Sequence, residues 1–251
     1  AIQDAVRRAY TRVAEHGASC CGPEPCCGAE AAAGYAARLY SRDELETVTA
    51  GATGAAAGCG NPTGLAGLVP GEVVLDLGSG GGIDCFLAAR AVGPAGRVIG
   101  VDFTPAMVDL ARANARALGL DNVAFELAPI EAIPQPDAAV DVVISNCVIV
   151  LAPDKDAVFA EAFRVLRPGG RLIVSDMVLT EPLPDPVVRD ISQWVTCVAG
   201  AELIDAYLDR IRRAGFVDVT VLSDQAMPAE AGKEWLASVR SLSVRAVKPA
   251  V

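Results

Sequence analysis

Histidine is nearly absent. His16 alone occurs among the 251 residues, and this shortage narrows the chemistry, because histidine is the side chain most often used as a general base near neutral pH. It stands far in sequence from the glycine-rich turn described below, and a lone histidine near a terminus reads as a surface residue. Runs of five like charges are also missing. With a formal net charge of -10 there is no clustered basic face to neutralise a phosphate backbone. No apolar stretch approaches the roughly 18 residues that span a bilayer, and the opening segment AIQDAVRRAYTRVAEHG carries no apolar signal-peptide core. The expectation is a soluble, cytoplasmic monomer that engages neither nucleic acid nor membrane.

Sulfur, by contrast, is plentiful. Eight cysteines are present: Cys20, Cys21, Cys26, Cys27, Cys59, Cys85, Cys147 and Cys197. Disulfide frameworks belong to small secreted domains that lack a core. A chain of this length can bury a full core, so reduced thiols are expected, serving soft-ion binding, redox work or simple packing.

The hydrophobic pattern divides the chain near residue 65. Residues 1–16 read as a helix with Ile2, Val6, Tyr10 and Val13 on one face. GASCCGPEPCCGAE then breaks it. Ser41 with Glu44 three residues on forms a capping box, and TAGATGAAAGCGNPTG reads as a glycine-rich loop, flexible until something packs on it. From residue 72, strands alternate with helices. The strands are EVVLDLG, RVIGVDF, VAFELAP, VDVVISNC and RLIVSDMV. The helix after RVIGVDF has Thr104 at its cap, Pro105 in its first turn and Gly119 at its end. The helix PDKDAVFAEAFRVL is broken by Pro168-Gly169-Gly170. A further helix, ELIDAYLDRIRRAG, and the strands VDVTVLS and SLSVRAV close the chain. Alternation of this kind implies right-handed crossovers and a mostly parallel sheet. The expected organisation is an α/β fold with seven strands: a Cys-rich helical and loop extension over 1–65, and the sheet domain over 66–251.

LDLGSGGG falls at the first strand-to-helix turn, where open α/β sheets bind ligands. Gly78, Gly80 and Gly82 allow close backbone approach. Asp102 ends the next strand, placed to accept hydrogen bonds from ribose hydroxyls. A dinucleotide fingerprint requires Gly or Ala at position 83; Ile83 stands there. The run from Asp76 to Gly82, D-x-G-x-G-x-G, instead resembles the first motif of the seven-stranded methyltransferases, which use S-adenosylmethionine. In that setting Asp76 faces the cofactor's ammonium group, Ser79 and Phe103 belong to the same two turns, Met107 reaches the adenine face, and Ile130 and Glu131 lie at the adenine edge. Asn146 ends the fourth strand beside the expected methyl position.

Methylation of oxygen or nitrogen usually calls for a general base, yet no acid or histidine adjoins Asn146. Cys147 does. A soft trivalent ion prefers thiolate ligands. Trivalent arsenic held by thiolates keeps a lone pair that can attack a sulfonium methyl without a base. Each cysteine also has a plainer reading: Cys85 as core, Cys147 as a small buried residue, and the Cys20-Cys21 and Cys26-Cys27 doublets as part of a zinc site, although their spacing is not that of the usual pairs.

The segments GCGNP, VLDLGSGGGIDCFLAA, GRVIGVDFTPAMV, SNCVIVLAPDKDAVFAEAFRVLRPGG and WVTCVAGA together resemble the bacterial arsenite methyltransferases, in order and spacing, from about residue 8 to about 215. The resemblance implies a Rossmann-like methyltransferase sheet, S-adenosylmethionine as cofactor, and arsenite and methylarsenite as substrates. It further implies that Cys147 and Cys197 hold the arsenic. Cys59 and an N-terminal cysteine, best matched by Cys20 or Cys21, would join them, binding arsenic or closing disulfides. A thiol reductant such as glutathione or thioredoxin would restore the thiols. Two other readings stay open: a C- or O-methyltransferase of a small organic substrate, and a thiol-based metal or redox sensor on the same fold.

Overall fold

A computed structural model describes residues 2–16, 35–227 and 232–250. Cys20, Cys21, Cys26 and Cys27 lie outside these residues, so the expectations about the doublets do too.

The sheet contains eight strands. They are β1 (Val73–Leu77), β2 (Arg97–Asp102), β3 (Val123–Leu127), β4 (Val140–Asn146), β5 (Leu166–Leu179), β6 (Glu202–Leu203), β7 (Val217–Ala226) and β8 (Val239–Val247). Their order is β3-β2-β1-β4-β5-β8-β7, with the two-residue β6 beside β5. β1 to β5 run parallel, while β8 is antiparallel to both β5 and β7. The seven expected strands are all present; β6 is added.

Side chains alternate across each strand, so the two faces feed separate cores. Leu75 and Leu77 of β1 and Val143 of β4 pack with Val158, Phe159 and Tyr207. Val74, Val142 and Ile144 pack on the other face with Phe86, Val108 and Ala111. The first core is covered by the helices Lys155–Val165 and Ile204–Arg213. Helices Ile83–Val92 and Pro105–Leu118 cover the second. Ile83–Val92 is buried almost all round, as befits a helix wedged between sheet and a second helical layer.

The chain leaves β1 toward β2 and β3, then returns to place β4 on the opposite side of β1. That reversal opens a crevice at the carboxyl ends of β1 and β4. A Cβ on Gly78 would come within 2.4 Å of Val148 Cγ2, so the turns after β1 and β4 touch, and Gly78 must be glycine.

The local expectations fare differently. TAGATGAAAGCGNPTG is not a loose loop: it holds the short helices Ala50–Gly54 and Pro62–Leu65, capped by Thr49 and Asn61. Gly51 sits so near Asn114 that a Cβ would lie 2.7 Å from its Oδ1; here glycine permits close packing instead of mobility. The helix stops at Val165, ahead of Pro168-Gly169-Gly170, and these residues lie within β5, whose pairing with β4 shifts register between Val140 and Val142. Bulges of this kind absorb residues that a regular ladder would reject. Thr104 occupies the N-cap position of its helix, yet its side chain makes no capping bond. Its own N–H donates to Asp102 Oδ1 at 2.8 Å. The capping box of Ser41 and Glu44 is present with both of its bonds.

Candidate active site

Two neighbouring clefts line the crevice. One is bounded by Asp76, Gly78, Ser79, Gly80, Asp102, Phe103, Met107, Asn146 and Cys147, among others. The second contains Gly78, Phe103, Ile130 and Glu131. The residues expected to bind cofactor therefore converge from four segments. Gly82 is set back, its α-carbon pressed toward Phe86. Gly78, Gly80 and Gly82 all adopt positive φ, at 69°, 50° and 96°, the left-handed region that side chains resist. The first helix, Ile2–His16, roofs both clefts through Val6, and the Arg7 guanidinium lies over the Phe103 ring at 5.4 Å.

The acids at this site are buried. Asp102 accepts from the Gly80 and Thr104 amides at 3.0 and 2.8 Å, so it braces the glycine turn as well as facing the cleft. Asp76 is 2% exposed and accepts from the Cys85 thiol at 3.2 Å. Burial, reinforced by the neighbouring Asp84, pushes the Asp76 carboxyl well above its ordinary range; a bound cation would restore its charge. The buried hydroxyl of Ser79 has no hydrogen-bond partner. Two acids, a polar hydroxyl and a glycine cradle at one end, with Met107, Phe103 and Ile130 as apolar walls, suit a ligand with an ammonium group, a ribose and a flat base. Cys85 is fully buried, as expected of a core residue, but its thiol is a partner of Asp76.

Beyond this cleft the structure brings together three thiols. Cys59, Cys147 and Cys197 come from the segment between two short helices, the end of β4 and the turn after the helix Ile191–Val195. All three are buried in an apolar cluster with Val6, Val150, Met177, Leu179 and Leu236. Hydrogen bonds to Cys197 and Cys59, and then burial, raise the Cys147 thiol well above its usual value. The Cys197 thiol also donates to the Cys147 carbonyl oxygen at 3.4 Å, and the Tyr10 hydroxyl lies 4.0 Å from Cys197 Sγ. Cys147 and Cys197 both hold left-handed backbone, at φ of 60° and 62°. In their present rotamers, the described His, Cys, Asp and Glu side chains form no group of three set for a metal ion; the three cysteines are free thiols, and Cys147 is hydrogen-bonded to the other two.

Asn146 lines the cleft at the end of β4, and its side chain is also bonded to its own chain. Its Oδ1 accepts from the Cys59 and Gly60 amides at 2.9 and 3.2 Å. Its Nδ2 donates to Gly60 O, Asp84 Oδ2 and Tyr40 Oη at 2.8, 3.0 and 3.1 Å. Asp84 further accepts from Thr63 Oγ1 and Tyr40 Oη at 2.9 Å each. Sequence reasoning missed Tyr40, Asp84, Ser241 and Asp176, because each matters through partners far along the chain. His16 is a surface residue, its side chain 69% exposed.

A parallel sheet reversing at β1, with a glycine-acid cleft at the reversal, defines a methyltransferase domain, and the family model described as "Methyltransferase domain" matches residues 68–232. The chain belongs to that family and, within it, to the arsenite methyltransferases. It is 46% identical to an arsenite methyltransferase of Halobacterium salinarum, over 87% of this chain and 58% of that protein. To that of Aquipseudomonas alcaligenes it is 41% identical, over 63% of this chain and 48% of that one. The X-ray structure of an arsenic(III) S-adenosylmethionine methyltransferase from Chlamydomonas reinhardtii superposes with a TM-score of 0.68 at 33% identity, covering 88% of this chain and 74% of that one. The chain thus spans about half the length of the curated relatives it matches.

Proposed function

We propose that this chain transfers a methyl group from S-adenosylmethionine to trivalent arsenic held by Cys147, Cys197 and Cys59. The convergence of three buried thiols at the edge of the glycine cleft carries the reading. Asp84, the acid bonded to Asn146, is not free to activate an oxygen or nitrogen acceptor: both its oxygens are committed to Thr63, Tyr40 and Asn146.

A thiol held above its usual value, as Cys147 is, remains fit for capture. Arsenite carries three hydroxyl groups. As each As–S bond forms, an As–O bond breaks, and the thiol proton departs with the hydroxide as water. No external base is needed, so a thiol raised by its hydrogen bonds to neighbouring thiols and by burial still binds. The apolar cluster around the sulfurs excludes the water that would reverse the exchange. When bound, S-adenosylmethionine supplies an electrophilic sulfonium methyl. The residues of this chain hold the two reactants: Asp76, Asp102 and the glycine turn on one side, the thiols on the other. Such placement supplies much of the rate gain of a two-reactant step. The arsenic lone pair becomes the new As–C bond, which raises arsenic by two oxidation units. Restoring the trivalent state takes two electrons from thiols, either Cys20 or Cys21 pairing with Cys59, or an external reductant such as glutathione or thioredoxin.

Incubation with arsenite, a dithiol and methyl-labelled S-adenosylmethionine, followed by speciation of the arsenic, tests the reading. Labelled methylarsenic is expected. Label appearing only on small organic acceptors would replace it with the C- or O-methyltransferase alternative, and arsenic binding without turnover would favour a sensor.

A further inference from the structure

The segment that carries Cys59 is tied down at every peptide group. The Gly58 carbonyl accepts from Tyr35 Oη, and the Cys59 carbonyl accepts from Ser241 Oγ at 2.6 Å. The amides of Cys59 and Gly60 and the carbonyl of Gly60 are all taken by one side chain, that of Asn146. Van der Waals contact is equally close: a Cβ on Gly58 would meet Asn146 Nδ2 at 2.3 Å, and one on Gly60 would meet Ser175 Oγ at 2.5 Å. Glycine on both sides of Cys59 is therefore what lets the segment lie flat on the ends of β4 and β5.

Of these anchors, Asn146 alone adjoins a second thiol in sequence. Its backbone ends β4 and leads directly into Cys147; its side chain grips the backbone of Cys59, 87 positions away. We infer that Asn146 is the positioning residue that fixes the Cys59 thiol against Cys147, and so sets whether the site offers three sulfurs or two. The Asp84 carboxyl and Tyr40 hydroxyl, both bonded to Nδ2, orient the amide so that its oxygen faces the Cys59 and Gly60 donors. This inference rests on the proposed arsenic chemistry for its consequence: a trivalent arsenic without carbon can use three thiols, whereas one already bearing a methyl has positions for two. Loosening Cys59 should then penalise arsenite more than methylarsenite.

The test uses the full chain with Asn146→Ala and, separately, Gly60→Ala, which displaces the segment while leaving Asn146 intact. Alkylation by iodoacetamide, read residue by residue by mass spectrometry, measures the latch without any arsenic. Cys59 is expected to react about tenfold faster in both variants, the effect of losing roughly 1.4 kcal/mol of hydrogen bonding, while Cys85 stays protected and reports an intact fold. X-ray absorption on the arsenite complex is expected to show three sulfurs about arsenic in the wild type and two in the variants. Turnover should fall further on arsenite than on methylarsenite. Unchanged Cys59 reactivity in folded variants, or three sulfurs retained, overturns the inference. If Asn146→Ala exposes Cys85, Gly60→Ala decides. Should the wild type show no As–S bonds, the proposed function fails, and the alkylation rates still decide the latch.

Discussion

The Cys197 thiol donates to the main-chain carbonyl of Cys147 across 3.4 Å, although 50 residues separate them. Both residues occupy left-handed backbone, with φ near 60°, which a side chain resists by about 1–2 kcal/mol. Two strained turns thus face each other, and each aims a sulfur into the same apolar cluster. Strain of this kind persists only where the surrounding structure overrides it.

Serine at either position should separate binding from chemistry. Cys147→Ser and Cys197→Ser each keep the side chain's size but replace a soft ligand with a hard oxygen of far higher pKa. Methylation of arsenite is expected to vanish in both, with the affinity for S-adenosylmethionine, measured by calorimetry, nearly unchanged. Most of the turnover surviving in either variant would rule out the shared thiol site.

The strain itself can be measured. Alanine at position 147 keeps the left-handed penalty, whereas glycine relieves it. Glycine normally costs about 0.5–1 kcal/mol relative to alanine through backbone entropy. Here the order should reverse, with Cys147→Gly more stable than Cys147→Ala by up to about 1 kcal/mol. Urea denaturation of the two variants provides the comparison. A more stable alanine variant would mean that the turn is not strained.

Asp102→Ala should weaken S-adenosylmethionine by about 1.5–3 kcal/mol, the range for losing a charged hydrogen-bond partner. It should also lower stability, because the amides of Gly80 and Thr104 lose their acceptor. Asp102→Asn keeps one acceptor oxygen and is expected to recover part of the stability and little of the affinity. An unaltered dissociation constant in Asp102→Ala would remove the residue from the cofactor site.

Asp176 predicts a specific pH dependence. Its carboxyl lies fully buried on β5. It accepts from Tyr207 Oη at 3.0 Å, and from the amides of Val150 and Met177 at 2.9 and 3.0 Å. Burial pushes it up to about 7. An acid raised in the folded state holds its proton there after the unfolded chain has lost its own. Stability therefore falls as pH rises from about 4, the ordinary aspartate value, toward 7, by on the order of 4 kcal/mol if this group acts alone. Asp176→Asn cannot titrate, so denaturation midpoints between pH 4 and 7 should flatten relative to the wild type. An identical slope in the variant would assign the dependence to other buried acids, Asp76 and Asp84 first.

The path from sequence to site was uneven, for physical reasons. Periodicity and punctuation are local, so the strands, the long helices and the capping box at Ser41 were legible. Because right-handed crossovers leave few topologies, the position of the Asp76–Gly82 turn at a ligand-binding crevice was legible too. Glycine was the ambiguous signal. GATGAAAGCG suggests mobility when read alone, since a missing side chain allows either freedom or close contact. Only the approach of Asn114, Asn146 and Ser175 shows that it is contact.

The sequence by itself determined the α/β class, the glycine turn at a ligand-binding crevice, and the presence of three thiols, Cys59, Cys147 and Cys197. That the three thiols meet was implied only by the family resemblance, because they lie on separate segments and no local rule relates them. That was decided by the tertiary structure, through the order of β1, β4 and β5 and the helix-capped segments packed on their ends. It decided the use of Asn146 as well. A strand-end asparagine can turn toward a ligand or toward its own chain, and the amides of Cys59 and Gly60, part-buried beside it, draw it to the chain, since a buried donor left unmet costs more than the bond itself returns.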